Sequence, residues 1–535
     1  MKTLDNPGRL FDVLAQRNSP TTLCLSRPLD IAPDSGTAYS VRQLAELTEQ
    51  AAGWLAAAGA GPGERVAVVK PNHWDFVLLT LAAARLGAVA APISAHLAPD
   101  TVATMLKRLE PAVLVTTADV VRSGAEAGVD LTSFARRTVS IDRPTPGAVP
   151  LADLRGHPAP PPAKRDDDQP LVIIHTSGTT GVPKLVPHST TTIIRRLAGF
   201  EAHRWPVLAS RPEDSVASAI SFAHGRALAW TASVFWLAPR EVTAVCDPTP
   251  ERAEAFLRAH PPTILETLPS TYVRWQSLAS TPDSVFSRVR LYISTFDAMH
   301  PPTVRAFLAA TRRKRPVWLQ GWGQSETGPL TFRFLTRAAM ARQGQRHPTT
   351  RDVGWPVPTR TRLRAIDPVT FRPVPRGTPG LIMARTKGLG LGYVGEEERW
   401  WAKSRGTSWW NTGDIGVITR SGGLRLVDRE VDTIPESSCL EMEDVIDDRL
   451  PWVLECIVLG APGRSPLPVI VTANGTADMD AAAWRSAVAD LPPLAEPIVM
   501  AWEELPRTAT GKVRRHQLRE LLLDGAGHHG TGQWT

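Results

Sequence analysis

The stretch HTSGTTGVPK, His175 to Lys184, crowds three Gly/Pro residues, four hydroxyl side chains and one lysine into ten positions. It follows the apolar run LVII, Leu171 to Ile174, which reads as a buried strand. A loop leaving such a strand, with glycines opening the backbone and hydroxyls turned inward, suits a polyphosphate: N–H and O–H groups donate, and the lysine supplies charge. A Walker A loop would need Ser or Thr directly after its lysine, and Leu185 stands there instead, so the usual NTPase reading fails. On this stretch alone a plain Ser/Thr/Gly loop stays open beside the phosphate loop.

Outward from this loop, helix and strand patterns alternate. Ser40 to Gln43 forms a capping box, and Leu44, Leu47, Ala51 and Leu55 follow at helical spacing. The strand VAVV (Val66 to Val69) leads to a helix from about His73 to Arg85, and further strands lie at Ala112–Thr117, Val242–Val245 and Arg290–Ser294. The alternation is expected to continue to about residue 390, which argues for α/β architecture with layered, mostly parallel sheets. The texture changes from about Asp428: short strands CIVLG, PVIVTA and IVMAW and two helices, near Asp480–Asp490 and Arg515–Asp524, suit a small α+β domain. The expected division is a large N-terminal domain over 1–428, a hinge at 429–431 and a small mobile C-terminal domain over 432–535.

A chain of 535 residues exceeds what one hydrophobic core serves. Its net charge of +7 comes from 60 scattered basic residues; the densest cluster, Arg312 to Arg315, sits at a helix end, so no nucleic-acid partner is expected and an anionic substrate is favoured. Cys24, Cys246, Cys439 and Cys456 lie far apart without CxxC spacing, as reduced thiols of a cytoplasmic protein would. The most apolar run, Phe76 to Ile93, is interrupted by Arg85 and reads as a buried helix then a strand, not a membrane span.

Four further pieces share the chemistry of the opening loop. GWGQSETG (Gly321 to Gly328) holds an aromatic, a hydroxyl and a carboxylate within five positions. WNTGD (Trp410 to Asp414) sets an acid behind a Thr-Gly turn, placed to accept from a ribose diol, and DREVD (Asp428 to Asp432) follows. RTATGKVRR (Arg507 to Arg515) carries Lys512 on a glycine turn. In this order and spacing the chain resembles the adenylate-forming superfamily of acyl-CoA ligases, luciferases and peptide-synthetase adenylation domains, over nearly its whole length.

That resemblance implies an acid oxygen attacking the α-phosphorus of ATP, loss of pyrophosphate, and an adenylate awaiting a second nucleophile. It assigns Thr176, Ser177, Gly178, Thr179, Thr180, Gly181 and Lys184 to the β/γ-phosphates and Ser325 to a phosphate contact. Glu326 would hold Mg²⁺, Trp322 would lie against adenine, and Asp414 would bind the ribose hydroxyls with help from Arg429. Lys512 would bridge the attacking oxygen and the α-phosphate. His224, in SFAHGRAL, matches a gate residue beside the acid pocket, with a satisfied core histidine as the alternative.

Two departures stand out. Thr295, Phe296 and Asp297 replace the small residues usual after the strand RLYIS; their bulk is expected to shorten the acid pocket. Asp297 either faces the bound acid or points back into a helix cap. The post-hinge loop reads DTIPESSCLEMEDVI, with Pro435 where a lysine is expected, no glycine, and Val431 at the hinge position. Proline fixes φ and removes an N–H, so this loop is expected to serve a thiol acceptor poorly. The sequence thus gives first place to an ATP-dependent ligase passing a small-molecule acid to a thiol, CoA or a carrier protein. Second is an enzyme with a non-thiol acceptor such as an amine, including a diazotase-like activation of nitrous acid; a non-catalytic binder is third.

Overall fold

The computed structural model describes residues 4–178, 181–342, 350–429, 438–460, 464–472 and 481–523. Thr179, Thr180, Val431 and Pro435, and the side chain of Arg429, lie outside the described residues.

The strand leading into the opening loop, Pro170–His175, is buried from Leu171 onward. It pairs in parallel with Val89–Ser94 and antiparallel with Leu185–Ser189. These three belong to a seven-stranded sheet that continues through Arg65–Lys70, Val113–Thr116 and Arg137–Ser140 to Val149–Pro150, parallel throughout that continuation. Runs of Val, Ile and Ala covered on both faces are what a buried parallel sheet demands. The capping box at Ser40 starts the helix Val41–Ala57, with Gln43 returning the hydrogen bond. The apolar run from Phe76 resolves into the fully buried helix Asp75–Arg85 and the strand Val89–Ser94. Among the described residues no helix is long and apolar enough to cross a membrane, and Cys24, Cys246, Cys439 and Cys456 are buried free thiols.

A second sheet of 13 strands changes character midway. Thr22–Leu25, Glu241–Ala244, Ser215–Ala219, Ile264–Thr267, Leu291–Ser294 and Val317–Gln324 run parallel. Beyond Val317–Gln324 every pairing is antiparallel, through Gly328–Leu335, Asp352–Pro356, Leu424–Arg429, Trp410–Ile418, Pro379–Thr386 and Thr361–Ile366. Helix–strand alternation therefore ends at Val317, not near residue 390 as expected. The reason is connection length: Ser325 to Thr327 is far too short for the dozen or more residues a parallel crossover requires, so the chain must turn back as a hairpin.

Toward the C-terminus, Glu455–Leu459, Leu467–Thr472 and Ile498–Ala501 form a three-stranded sheet, accompanied by the helices Cys439–Arg449, Ala481–Val488 and Arg515–Leu522. Helix Cys439–Arg449 docks on the larger part through charge. His300 Nδ1 lies 2.9 Å from Asp444 and 3.5 Å from Asp447, Arg351 pairs with Glu441 at 2.8 Å, and Arg305 meets Asp448. Burial disfavours the imidazolium, but Asp447, Asp444 and Glu443 outweigh it and raise His300 to about 10.

A raised pKa stabilises the fold fully below the ordinary value of 6.5 and loses that contribution as pH rises through about 10. We expect His300→Gln to lose roughly 3 kcal/mol at pH 6, as removal of one partner of a buried pair does. Parallel denaturant melts of both proteins from pH 6 to 10 check this: the gap should narrow with rising pH, and a gap that widens contradicts it.

Candidate active site

One cavity of about 390 Å³ gathers most of the residues singled out in the sequence. Thr176, Ser177, Gly178 and Lys184 form one wall. The loop closes on itself, since Thr176 N–H donates to Lys184 O at 2.9 Å and Lys184 N–H to Thr176 Oγ1 at 3.0 Å. Burial lowers the Lys184 pKa, with Glu326 acting against that, and its Nζ stands 5.4 Å from the Tyr393 ring centroid. Gly181 is not among the lining residues; its φ of +124° shapes the turn.

Facing this loop are Trp322, Gln324, Ser325 and Glu326, at the end of the hairpin. Glu326 is buried and accepts from the Tyr393 hydroxyl at 2.5 Å. His188 Nε2 lies 2.8 Å from Ser325 O and fixes that turn from behind. Asn411, Thr412 and Gly413 complete the wall, and Asp414 is the next residue of the same strand, buried, with Gln324 Nε2 donating to it at 3.4 Å. The register sets Asp414 opposite Arg429.

Lys512 and Thr510 reach this cavity from the C-terminal part. Their turn is held by Thr508 N–H donating to Lys512 O at 2.8 Å and by Gly511 N–H donating to Thr508 O at 2.9 Å. Gly511 has φ +76°, and a Cβ there would sit 2.0 Å from Ser270 Oγ. Only glycine allows the turn to press so closely on the N-terminal part.

His224 lines the cavity as the residue before helix Gly225–Leu237. Its Nδ1 accepts from Arg226 N–H at 3.1 Å, which leaves the ring proton on Nε2, 3.3 Å from Ser325 Oγ. Burial, then the charges of His175 and Lys512, push its pKa down to about 3. At neutral pH it is an uncharged donor aimed into the cavity.

Thr295 and Phe296 also line the wall. Phe296 adopts φ +84° and meets His224 edge-on at 4.8 Å between centroids. Asp297 does not line this cavity. It borders a separate small depression with His300, Glu455 and Gly511, and its Oδ1 accepts from Ala298 N–H at 3.0 Å. The left-handed turn at Phe296 swings the chain outward before the carboxylate, so Asp297 neither faces an acid nor caps the helix Pro301–Ala310, whose N-cap is His300 without a side-chain bond. Leu208, Trp230 and Leu237 line the same cavity as Phe296.

Four charged residues of the inner wall escaped the sequence reading. Arg226 reaches Glu266 through Nε at 2.6 Å and Nη2 at 2.8 Å, and its Nη1 lies 2.6 Å from both oxygens of Glu201. Glu266 is wholly buried; a lone acid inside the apolar strand TILET was its available signal. Arg360 lies on the same cavity wall, and nothing in the local pattern of PTRTRLRA marks it.

The cavity thus pairs a cationic, hydroxyl-rich end with an inner chamber that sets the Arg226 ion pairs among apolar side chains, the two parts an activated acid of nucleotide origin would need. A family model for AMP-binding enzymes matches residues 15–394. The 3-amino-2-hydroxy-4-methoxybenzoate diazotase of Streptomyces cremeus is 36% identical, across 96% of this chain and 95% of its own. A 3-hydroxybenzoate–CoA ligase of Aromatoleum sp. (strain CIB) is 27% identical over 90% of this chain and 91% of its own. The crystal structure of ATP-bound MatB from Rhodopseudomonas palustris shares the fold, with TM-score 0.77 at 24% identity over 98% of this chain and all of that one. Fold, sequence and cavity agree, and the chain belongs to the AMP-binding enzyme family as an adenylate-forming enzyme.

Proposed function

We propose that this enzyme uses ATP to activate nitrous acid and passes the nitroso group to an aromatic amine. The observation that carries this reading is the 36% identity to a diazotase along nearly the full chain, against 27% to the CoA ligase. It moves the amine acceptor ahead of the thiol acceptor, which ranks first on sequence alone. In this reading Thr176, Ser177, Gly178 and Lys184 hold the phosphates, Trp322 the adenine and Asp414 the ribose. Glu326 fits Mg²⁺, offering a hard oxygen ligand into the cavity while Tyr393 steadies its other oxygen.

A nitrite oxygen attacks the α-phosphorus and pyrophosphate leaves, with Lys512 neutralising the charge that develops there. The amine nitrogen then attacks the nitroso nitrogen, the bond to the AMP oxygen breaks, and AMP departs. The N-nitroso amine tautomerises, is protonated and loses water to give the diazonium ion. Neutral His224 suits this chemistry, because its Nε2–H can donate to the nitroso adenylate without adding charge.

The test is ATP–pyrophosphate exchange with nitrite and with a panel of aromatic acids, followed by addition of an arylamine or CoA. Nitrite-dependent exchange, and an amine product that couples to an electron-rich arene as an azo dye, support the proposal. Exchange driven by the aromatic acid alone, followed by saturable thioester formation, overturns it.

A further inference from the structure

On the face of the 13-stranded sheet turned away from the cavity, three different ligand types converge. Cys24, Glu241 and His260 bring a thiol sulfur, a carboxylate oxygen and a ring nitrogen within 4.8 Å of one another. The register accounts for two of them. Thr22 and Ser215 both pair with Glu241 across parallel strands, so Cys24, two residues beyond Thr22, shares the face of Glu241. Val216, one residue beyond Ser215, points the other way and lines the cavity. His260 is the C-cap of helix Pro250–Ala259, whose Ala253 and Leu257 pack with Ala217 on the same face as Glu241. No sequence motif announces the group, because 217 residues separate Cys24 from Glu241.

Glu241 is held so that one oxygen is free for this purpose. Ser215 Oγ donates to its Oε1 at 2.8 Å, which leaves Oε2 facing His260 Nδ1 at 3.2 Å and Cys24 Sγ at 3.9 Å. Phe256 steadies the His260 ring, with 4.8 Å between centroids. Hydrogen bonding explains Ser215 and His260 well but Cys24 poorly, since a thiol is a weak donor. Tetrahedral coordination explains all three: metal–ligand bonds of the usual zinc lengths set N and O about 3.4 Å apart and S about 3.6 Å from either. The two distances at Oε2 lie close to these values, and a modest turn of the imidazole closes the third edge. We infer that Cys24, Glu241 and His260 form a three-ligand site for a zinc-class divalent cation. Mixed sulfur, nitrogen and oxygen donors favour such an ion over Mg²⁺. The Cys24 thiol gives its proton to solvent as the ion binds. The His260 and Glu241 side chains are 29% and 20% exposed, so the ion enters from solvent and takes water as its fourth ligand. The ion acts as a clip, tying strand Thr22–Leu25 to the end of helix Pro250–Ala259.

The test titrates cobalt(II), then zinc, into the full chain after treatment with a chelator. Cobalt should give the near-ultraviolet charge-transfer band of a thiolate ligand together with the strong visible bands of tetrahedral geometry, and zinc should bleach both. Cys24→Ser should abolish the charge-transfer band and weaken zinc binding at least about a hundredfold, and Ser215→Ala should weaken it about tenfold, as loss of an outer partner does. Zinc should raise the melting temperature of the wild type and leave Cys24→Ser and His260→Gln unmoved. Both variants are mild, one close in shape and one at a partly exposed ring, and their melts without metal report folding. A thiolate band that survives Cys24→Ser, zinc affinity unchanged in both variants, or a wild type that binds neither metal overturns the site.

Discussion

Lys512→Ala abolishes acid-dependent pyrophosphate release while nucleotide binding survives. Lys512 stands on a turn whose backbone hydrogen bonds do not involve its side chain, so truncation leaves the turn intact. Thr176, Ser177, Lys184 and Trp322, the residues to which the proposed function gives the nucleotide, still line the cavity. On the proposed function, what is lost is the cation that neutralises the charge building during attack on the α-phosphorus. Removing one such stabilising group costs about 10²–10³ in rate, or about 3–4 kcal/mol of barrier. The measurements are single-turnover pyrophosphate release and ATP binding by calorimetry. A variant that exchanges pyrophosphate at the wild-type rate refutes the role given to Lys512.

The second large effect is on stability. Arg226 holds Glu266, which is wholly buried, and Glu201, which is partly buried. Burial disfavours its charge, but Glu201 and Glu266 overcome that and raise its pKa above the ordinary arginine value. Arg226→Met leaves Glu266 buried without its ion-pair partner and leaves Glu201 with only the weaker pull of the Arg360 charge. Breaking a buried pair from one side costs about 3–5 kcal/mol, whereas replacing all partners by apolar or neutral groups is often close to neutral. The single variant should therefore melt well below wild type, and the triple variant Arg226→Met, Glu201→Gln, Glu266→Leu should recover most of the loss. Denaturant melts decide it, and a single variant as stable as the wild type contradicts the argument.

Local chemistry made part of this molecule legible in its sequence. The hydroxyl loop after LVII, the capping box at Ser40 and the lysine on the TATGK turn each declare themselves within ten residues, because backbone geometry and side-chain type are fixed together there. The hairpin Val317–Leu335 was equally local and was missed: the three residues between its strands forbid a parallel crossover, yet the apolar runs alone suggested continued alternation. Asp297 was misplaced for a different reason. One left-handed residue, Phe296, redirects the chain, and a positive φ at a phenylalanine leaves no mark in residue type. Arg226, Glu201, Glu266 and Arg360 come together from segments far apart in the chain, and their meaning exists only once the fold has assembled them. Of these, Glu266 alone interrupted a buried pattern visibly enough to be noticed beforehand.

The contact between Gly511 and Ser270 bears on how faithfully ATP consumption is matched to product. Thr510 and Lys512 are part of the cavity wall, so the chamber is complete only while their turn is pressed against Ser270. An activated nitrite ester that meets water instead of amine returns to nitrite and AMP, and one ATP is spent without product. With no side chain at Gly511, the turn's backbone sits directly against the short Ser270 side chain, so the fit of this seam rests on backbone shape on one side and a single hydroxymethyl group on the other. On the proposed function, coupling between nucleotide turnover and diazonium yield would thus be set at the surface where the two parts of the chain meet, some way from the atoms that react.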